Sequence, residues 1–138
     1  MLKKLLSPQP LAIDAALLVT RLLAGLLMMQ YGWEKFSNYS TWSADFPDPL
    51  GVGGAVSLAL CIFAELFCSI FLAAGLFTRA ALIPLIFNMV VVVLVIHSQD
   101  DWRTREHGFT FLILYLILFL SGPGKYSLDH VLFRKKLE

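Results

Sequence analysis

AVSLALCIFAELFCSIFLAAGLF, residues 55–77, carries a single charged side chain, Glu65. As a helix at 1.5 Å per residue the run is about 34 Å long, enough to cross roughly 30 Å of hydrocarbon. Reading it as a membrane span decides the fold, because three more apolar runs flank it, at residues 11–33, 80–96 and 108–120. Four such runs in 138 residues leave little chain for a soluble domain. Composition agrees: 58% of residues are hydrophobic and 15% charged, with mean hydropathy +0.74, whereas soluble domains carry about 25% charged residues. The expected fold is all-α, one domain over residues 1–138. It is a four-helix transmembrane bundle with helices at about 11–35, 54–77, 80–97 and 102–121.

Outward from the central run, Lys3 and Lys4 precede the first apolar block, as they would precede a cleaved leader. The block is long for a leader, carries Arg21, and ends in YGWEKFSNYS with no small-x-small site, so it reads as a span. The segment SNYSTWSADFPDPLGVGG, residues 37–54, is turn and interface chemistry. Its Tyr39, Trp42 and Phe46, with Trp33, suit an aromatic belt at the membrane boundary. Thr78-Arg79 reads as a tight turn that makes the second and third helices antiparallel neighbours. Pro84 falls in the first turns of the third, where a missing N–H costs least. The fourth ends at Ser121-Gly122-Pro123-Gly124. Its apolar part, Phe109 to Leu120, spans only about 18 Å. It must recruit earlier residues, which brings Glu106 and His107 to the outer hydrocarbon boundary.

Lys and Arg placement orients the chain. Lys3, Lys4, Arg79, Lys125, Arg134, Lys135 and Lys136 fall on one side, against Lys35, Arg103 and Arg105 on the other. Both termini are therefore expected in the cytoplasm.

Charges inside spans are costly and face the protein interior or a wet cavity. Arg21 lies about 10 Å in and Glu65 about 18 Å in from the cytoplasmic ends, so an interhelical Arg21–Glu65 pair is expected. Such a pair either fixes helix packing or leaves a carboxylate that handles protons or ligand. Cys61, Glu65 and Cys68 share one helix face at i, i+4, i+7. With no further ligand at metal spacing and with Ala59, Ala64, Ser69, Ala73, Ala74 and Gly75 on the same helix, that face reads as close packing rather than a metal site. Cys61 and Cys68 sit about 10 Å apart along the axis and cannot bond to each other. A third group, Glu34, Lys35, His97, Glu106 and His107, converges at the outer face from three helices. It mixes acids with bases among apolar walls, as a small-molecule site does. Interfacial anchoring and capping would use the same residues.

Together these residues resemble the DoxX family of small bacterial and archaeal membrane proteins, along nearly the whole chain. The first helix, RLLAGLLMMQYGWEKF, has Arg21, Gly25, Gly32 and Lys35 in the family's order. Glu65, then Gly75, Thr78 and Arg79, then His97 and Glu106 follow. The closing SGPGKYSLDH is similar to the family's Gly-Pro-Gly-x-x-Ser-x-Asp. The resemblance implies a four-helix membrane protein tied to quinone-linked electron transfer. The family takes its name from a subunit associated with a terminal quinol oxidase and thiosulfate:quinone oxidoreductase, and other members are linked to soluble oxidoreductases as membrane partners.

The function expected is an accessory or anchor subunit of a membrane redox system in a bacterial or archaeal plasma membrane, not catalytic alone. It would hold a quinone headgroup near the outer face, with His97 and Glu106 exchanging protons with it. Expected partners are the lipid bilayer, oxidoreductase subunits and a second copy of the chain. Net charge of +1 gives no basic surface for nucleic acid. No G-x-S-x-G, P-loop, GxGxxG or zinc spacing occurs, and no soluble segment is long enough for a nucleotide fold. His97, His107 and His130 are the only histidines, and they do not form the facing mid-membrane pair that a haem would need. The competing readings are a small transporter using the intramembrane charges and a scaffold without ligand.

Overall fold

The computed structural model of the chain describes residues 7–137, with side chains described through Arg134. Lys3 and Lys4, and the side chains of Lys135 and Lys136, lie outside what is described, so part of the charge count that orients the chain does too. The described residues are helical, with no strand among them. Helix α1 is Ile13–Ser37 and a single turn α2 is Tyr39–Trp42. Helix α3 is Gly54–Ala74, α4 is Thr78–Ile96, α5 is Trp102–Ser121 and α6 is Leu128–Leu137. Three of them, α1, α3 and α4, are long and apolar enough to cross a membrane. Large apolar side chains such as Leu23, Leu26, Ile83 and Leu94 point outward from them. That surface suits lipid, not water.

Helix α1 packs on α3 and α5, and α4 packs on the same two. Between them lies one core containing Met28, Leu72, Leu85, Met89, Tyr115 and Leu118. The α1–α3 contact is the closest. A Cβ on Gly32 would stand 2.5 Å from the Leu66 nitrogen and 2.6 Å from the Glu65 carbonyl carbon. Only glycine lets the two backbones approach so far, and this sets the register of α1 against α3.

The turn between α3 and α4 differs from expectation. Thr78 and Arg79 are the first residues of α4, and the turn is Gly75–Phe77. Gly75 takes φ +70 and Phe77 φ +47, left-handed conformations that end a helix within a few residues. Asp129, far along the chain, makes this tight turn workable. Its carboxylate accepts the N–H groups of Phe77 at 2.6 Å and Thr78 at 2.9 Å, which otherwise are orphan donors at the start of α4. The family-like ending SGPGKYSLDH thus serves as a clasp across the ends of three helices.

Two helices widen to π-turns, α3 over Phe63–Cys68 and α4 over Val92–Ile96. In α4 the His97 N–H reaches back to the Val92 carbonyl at 3.0 Å, five residues away. Such turns are rare and often mark functional sites. Here both border the same space.

Candidate functional site

Arg21 and Glu65 are each buried, at 1% and 3% exposure, yet they are not partners. The helix register explains why. Arg21 lies beside the end of α3, where its guanidinium donates to the carbonyls of Ala73 at 3.4 Å, Tyr126 at 2.6 Å and Pro123. Ala73 is eight residues beyond Glu65, about 12 Å along the axis. Close packing at Gly32 instead brings the far end of α1 to Glu65. Lys35 Nζ stands 2.6 Å from Glu65 Oε2. Asn88 Nδ2 of α4 donates to Glu65 Oε1 at 2.9 Å, and the Cys61 thiol donates to Asn88 Oδ1 at 3.4 Å. One carboxylate therefore joins three helices and has a partner on each oxygen, as a buried anion requires.

This polar group forms one end of a cavity of about 550 Å³. Lys35, Cys61, Glu65 and Asn88 line it, together with Tyr31, His97 and His107. Its walls are apolar, from Leu60 and Phe63 of α3 and Pro84, Phe87 and Val91 of α4. The loop after α2 covers it with Phe46, Pro47, Pro49 and Leu50. The size falls within the range of about 300–1,000 Å³ typical of small-molecule sites. His107 packs edge-on to Tyr31 and Phe111, with ring centroids 4.9 and 5.0 Å away. His97 Nδ1 stands 2.5 Å from Asp100 Oδ2, which anchors the end of α4.

The covering loop hangs on Asp48. Its carboxylate accepts the N–H groups of Val52 at 2.9 Å and Gly53 at 2.7 Å and the Ser57 hydroxyl at 2.8 Å. These donors, the Gly53 amide foremost, hold the carboxyl below its usual value. Asp101 does similar work at the start of α5. It accepts the hydroxyl and N–H of Thr104, and this lowers its pKa.

Of the five residues expected at the outer face, the cavity takes Lys35, His97 and His107. Glu34 and Glu106 stand exposed, away from its lining. On the stripe of α3, Cys61 and Glu65 reach the cavity, while Cys68 enters the core. No cluster of metal-ligating side chains occurs among the described residues. Asn88 escaped sequence reasoning. Its signal was available, since it is the one amide inside the apolar run ALIPLIFNMVVVVLVI, residues 81–96, and buried amides in spans seek partners on other helices.

The sequence pattern of DoxX matches residues 16–98. The chain belongs to the DoxX family. It is similar to an uncharacterized membrane protein of Mycobacterium tuberculosis, 30% identical, with 83% of this chain and 80% of that one aligned. It is also similar to the inner membrane protein YqjF of Escherichia coli, 27% identical over 88% of this chain and 95% of the relative. An uncharacterized protein of Haemophilus influenzae is 27% identical over 88% and 85%. No solved structure matches. The matched segment contains Arg21 and, of the cavity's lining, Tyr31, Lys35, Cys61, Glu65, Asn88 and His97. His107 lies beyond. The chain is a small DoxX-family membrane protein.

Proposed function

We propose that this DoxX protein is a quinone-holding accessory subunit of a membrane redox system, with the cavity at Lys35, Glu65 and Asn88 as its headgroup site. The observation that carries the reading is an apolar cavity that ends on a paired, overall neutral set of charges. An anionic ligand would meet Glu65, and a cationic one Lys35. A neutral ring with carbonyl oxygens adds no net charge to the interior, and it can accept from the ammonium hydrogens that Glu65 does not use. Apolar walls suit the ring and its prenyl tail. His97 and His107 line the same cavity, and an imidazole nitrogen can donate or accept a proton. Reduction of a quinone takes two electrons and two protons. In this reading the electrons come from a partner oxidoreductase, and the histidines and Glu65 relay the protons.

The same proposal takes residues 1–138 as one DoxX domain. Four helices, α1, α3, α4 and α5, form a transmembrane bundle, with both termini in the cytoplasm of a bacterial plasma membrane. Glu34 and Glu106 then act at the outer interface, not on the ligand. Transport across the membrane draws less support. The interval between the Glu65 group and Arg21 is filled by buried Ala24, Met28, Leu72 and Leu85.

Native mass spectrometry of protein extracted gently from its own membranes tests the proposal. One isoprenoid quinone per chain is expected, retained in wild type and lost in the Lys35→Met, Glu65→Gln double variant. A wild-type protein that carries no quinone, and whose tryptophan emission does not respond to added quinone, rules out the site.

A further inference from the structure

The cavity uses none of the residues at the opposite end of the molecule, where α6 lies. One side of α6 is fastened to the α3–α4 turn. Asp129 caps Phe77 and Thr78 and donates its own N–H to the Gly75 carbonyl at 2.8 Å. The Phe133 ring lies 5.9 Å from that of Phe77. The other side is apolar and open. Leu128, Val131 and Leu132 are 44%, 70% and 53% exposed, and their i, i+3, i+4 spacing puts them on one arc. The sequence ends this helix with Arg134, Lys135 and Lys136. Beside it runs an open groove of about 820 Å³, lined by Arg79, His130 and Arg134 with the rings of Phe77 and Phe133. Asp129 also borders the groove, but both its oxygens are engaged by backbone N–H groups. Arg79 is held in position by its Nε, which donates to the Phe119 carbonyl at 3.1 Å.

We propose that α6 lies in the membrane surface and docks an anionic phospholipid, with the phosphate at Arg79 and Arg134 and the acyl chains along the Val131 arc. Three observations converge on lipid. The groove sits where α3 and α5 end and α4 begins, the level of headgroups for helices that span. An apolar arc flanked by basic residues is the pattern of interfacial helices. In the groove's lining two arginines, Arg79 and Arg134, stand against one carboxylate, Asp129, and each Lys or Arg near an anionic surface contributes about 1 kcal/mol of attraction, a factor of about five.

Hydrogen exchange on the intact protein in nanodiscs tests this. Discs of phosphatidylcholine are compared with discs containing phosphatidylglycerol. Amides of residues 128–134 are expected to exchange at least about five-fold more slowly with phosphatidylglycerol. Arg134→Gln should remove most of that difference, and Val131→Asp should remove the protection in both discs. Val131 is too exposed for its substitution to disturb the core, and an unfolding temperature of Val131→Asp equal to that of wild type verifies the fold. Equal exchange in the two lipids overturns the proposal, as does protection that Val131→Asp leaves intact. Protection that arises only when soluble cell extract is added assigns the face to a protein, and overturns it too.

Discussion

Among the described residues, charge is buried at two places and held differently at each. At one end, Arg21 donates only to backbone carbonyls, those of Ala73, Pro123 and Tyr126. Neither the cavity at Glu65 nor the groove beside α6 has Arg21 in its lining, and the same loops are tied again by Asp14, which accepts the Lys125 N–H at 2.9 Å, and by Asp129. At the other end, Lys35, Glu65 and Asn88 bind one another and face open space. Charge directed at backbone carbonyls closes a structure, because those acceptors must be satisfied wherever they are buried. Charge directed at another side chain leaves donors that a ligand can use. Burial alone therefore does not mark a site. The partner's identity does.

Breaking the closed end should have the largest effect. Arg21→Met leaves three part-buried carbonyls without their donor, and each costs up to about 1–3 kcal/mol where water cannot replace it. Relief of the buried guanidinium returns part of this, so a net loss of about 3 kcal/mol is expected. Thermal unfolding in detergent measures it. Arg21→Lys should recover little, because an ammonium lacks the planar fork that reaches three divergent oxygens. If Arg21→Met unfolds like wild type, the division of labour between the two ends is wrong.

Gly32→Ala comes next. The added Cβ meets backbone, not a flexible side chain, at 2.5–2.8 Å, so α1 and α3 must separate. Overpacking of this kind costs about 1–3 kcal/mol. It should also lengthen the Lys35–Glu65 contact and weaken quinone retention, which a mere stability defect at the Arg21 end would not do at matched temperature.

The open end should respond through coupling, not through collapse. Either Lys35→Met or Glu65→Gln alone strands one member of the pair, whereas the double variant strands neither. A cycle of the four proteins should give an interaction of about 0.5–3 kcal/mol. The double variant should regain most of the stability while holding no quinone. Stability and binding separate in this way only if the pair exists to present donors to the cavity.

These two ends were not equally legible in sequence. The spans were plain, because apolar runs such as AVSLALCIFAELFCSIFLAAGLF report their environment locally. Counting from helix ends gathers Glu34, Lys35, His97, Glu106 and His107 into one group; the cavity takes Lys35, His97 and His107 and leaves Glu34 and Glu106 exposed. The pairing of Glu65 was misplaced. Depth counted from the ends brought Arg21 near it, but the register of α1 on α3 is set by the contact at Gly32, which is a fact about two backbones and not about either run. The role of Asp129 was invisible for a similar reason. It caps a helix that begins 51 residues earlier, and no local pattern announces a cap supplied from so far away. The phase of α3 was hidden by its π-turn, which sends Cys68 to the core and leaves Cys61 at the cavity.

The gentlest way to sharpen the contrast is at the cover of the open end. Asp48 holds the loop of Phe46, Pro47, Pro49 and Leu50 over the cavity, and its donors depress its pKa from an ordinary value of 3.8. A carboxyl with a depressed folded pKa contributes fully above its unfolded value. Its contribution fades as pH falls through the folded value, so the loop should stay fastened at pH 5 and loosen well below pH 4. Amides of Val52 and Gly53, which donate to it, should lose exchange protection across that window once the intrinsic pH dependence of exchange is removed. The Arg21 guanidinium stays charged throughout, so its bonds to the carbonyls of Ala73, Pro123 and Tyr126 should not loosen across this window. Asp48→Asn should show the loosened loop already at pH 7, with faster quinone release and an almost unchanged unfolding temperature. If release instead tracks the unfolding temperature, the loop is part of the closed structure and not a cover for the site.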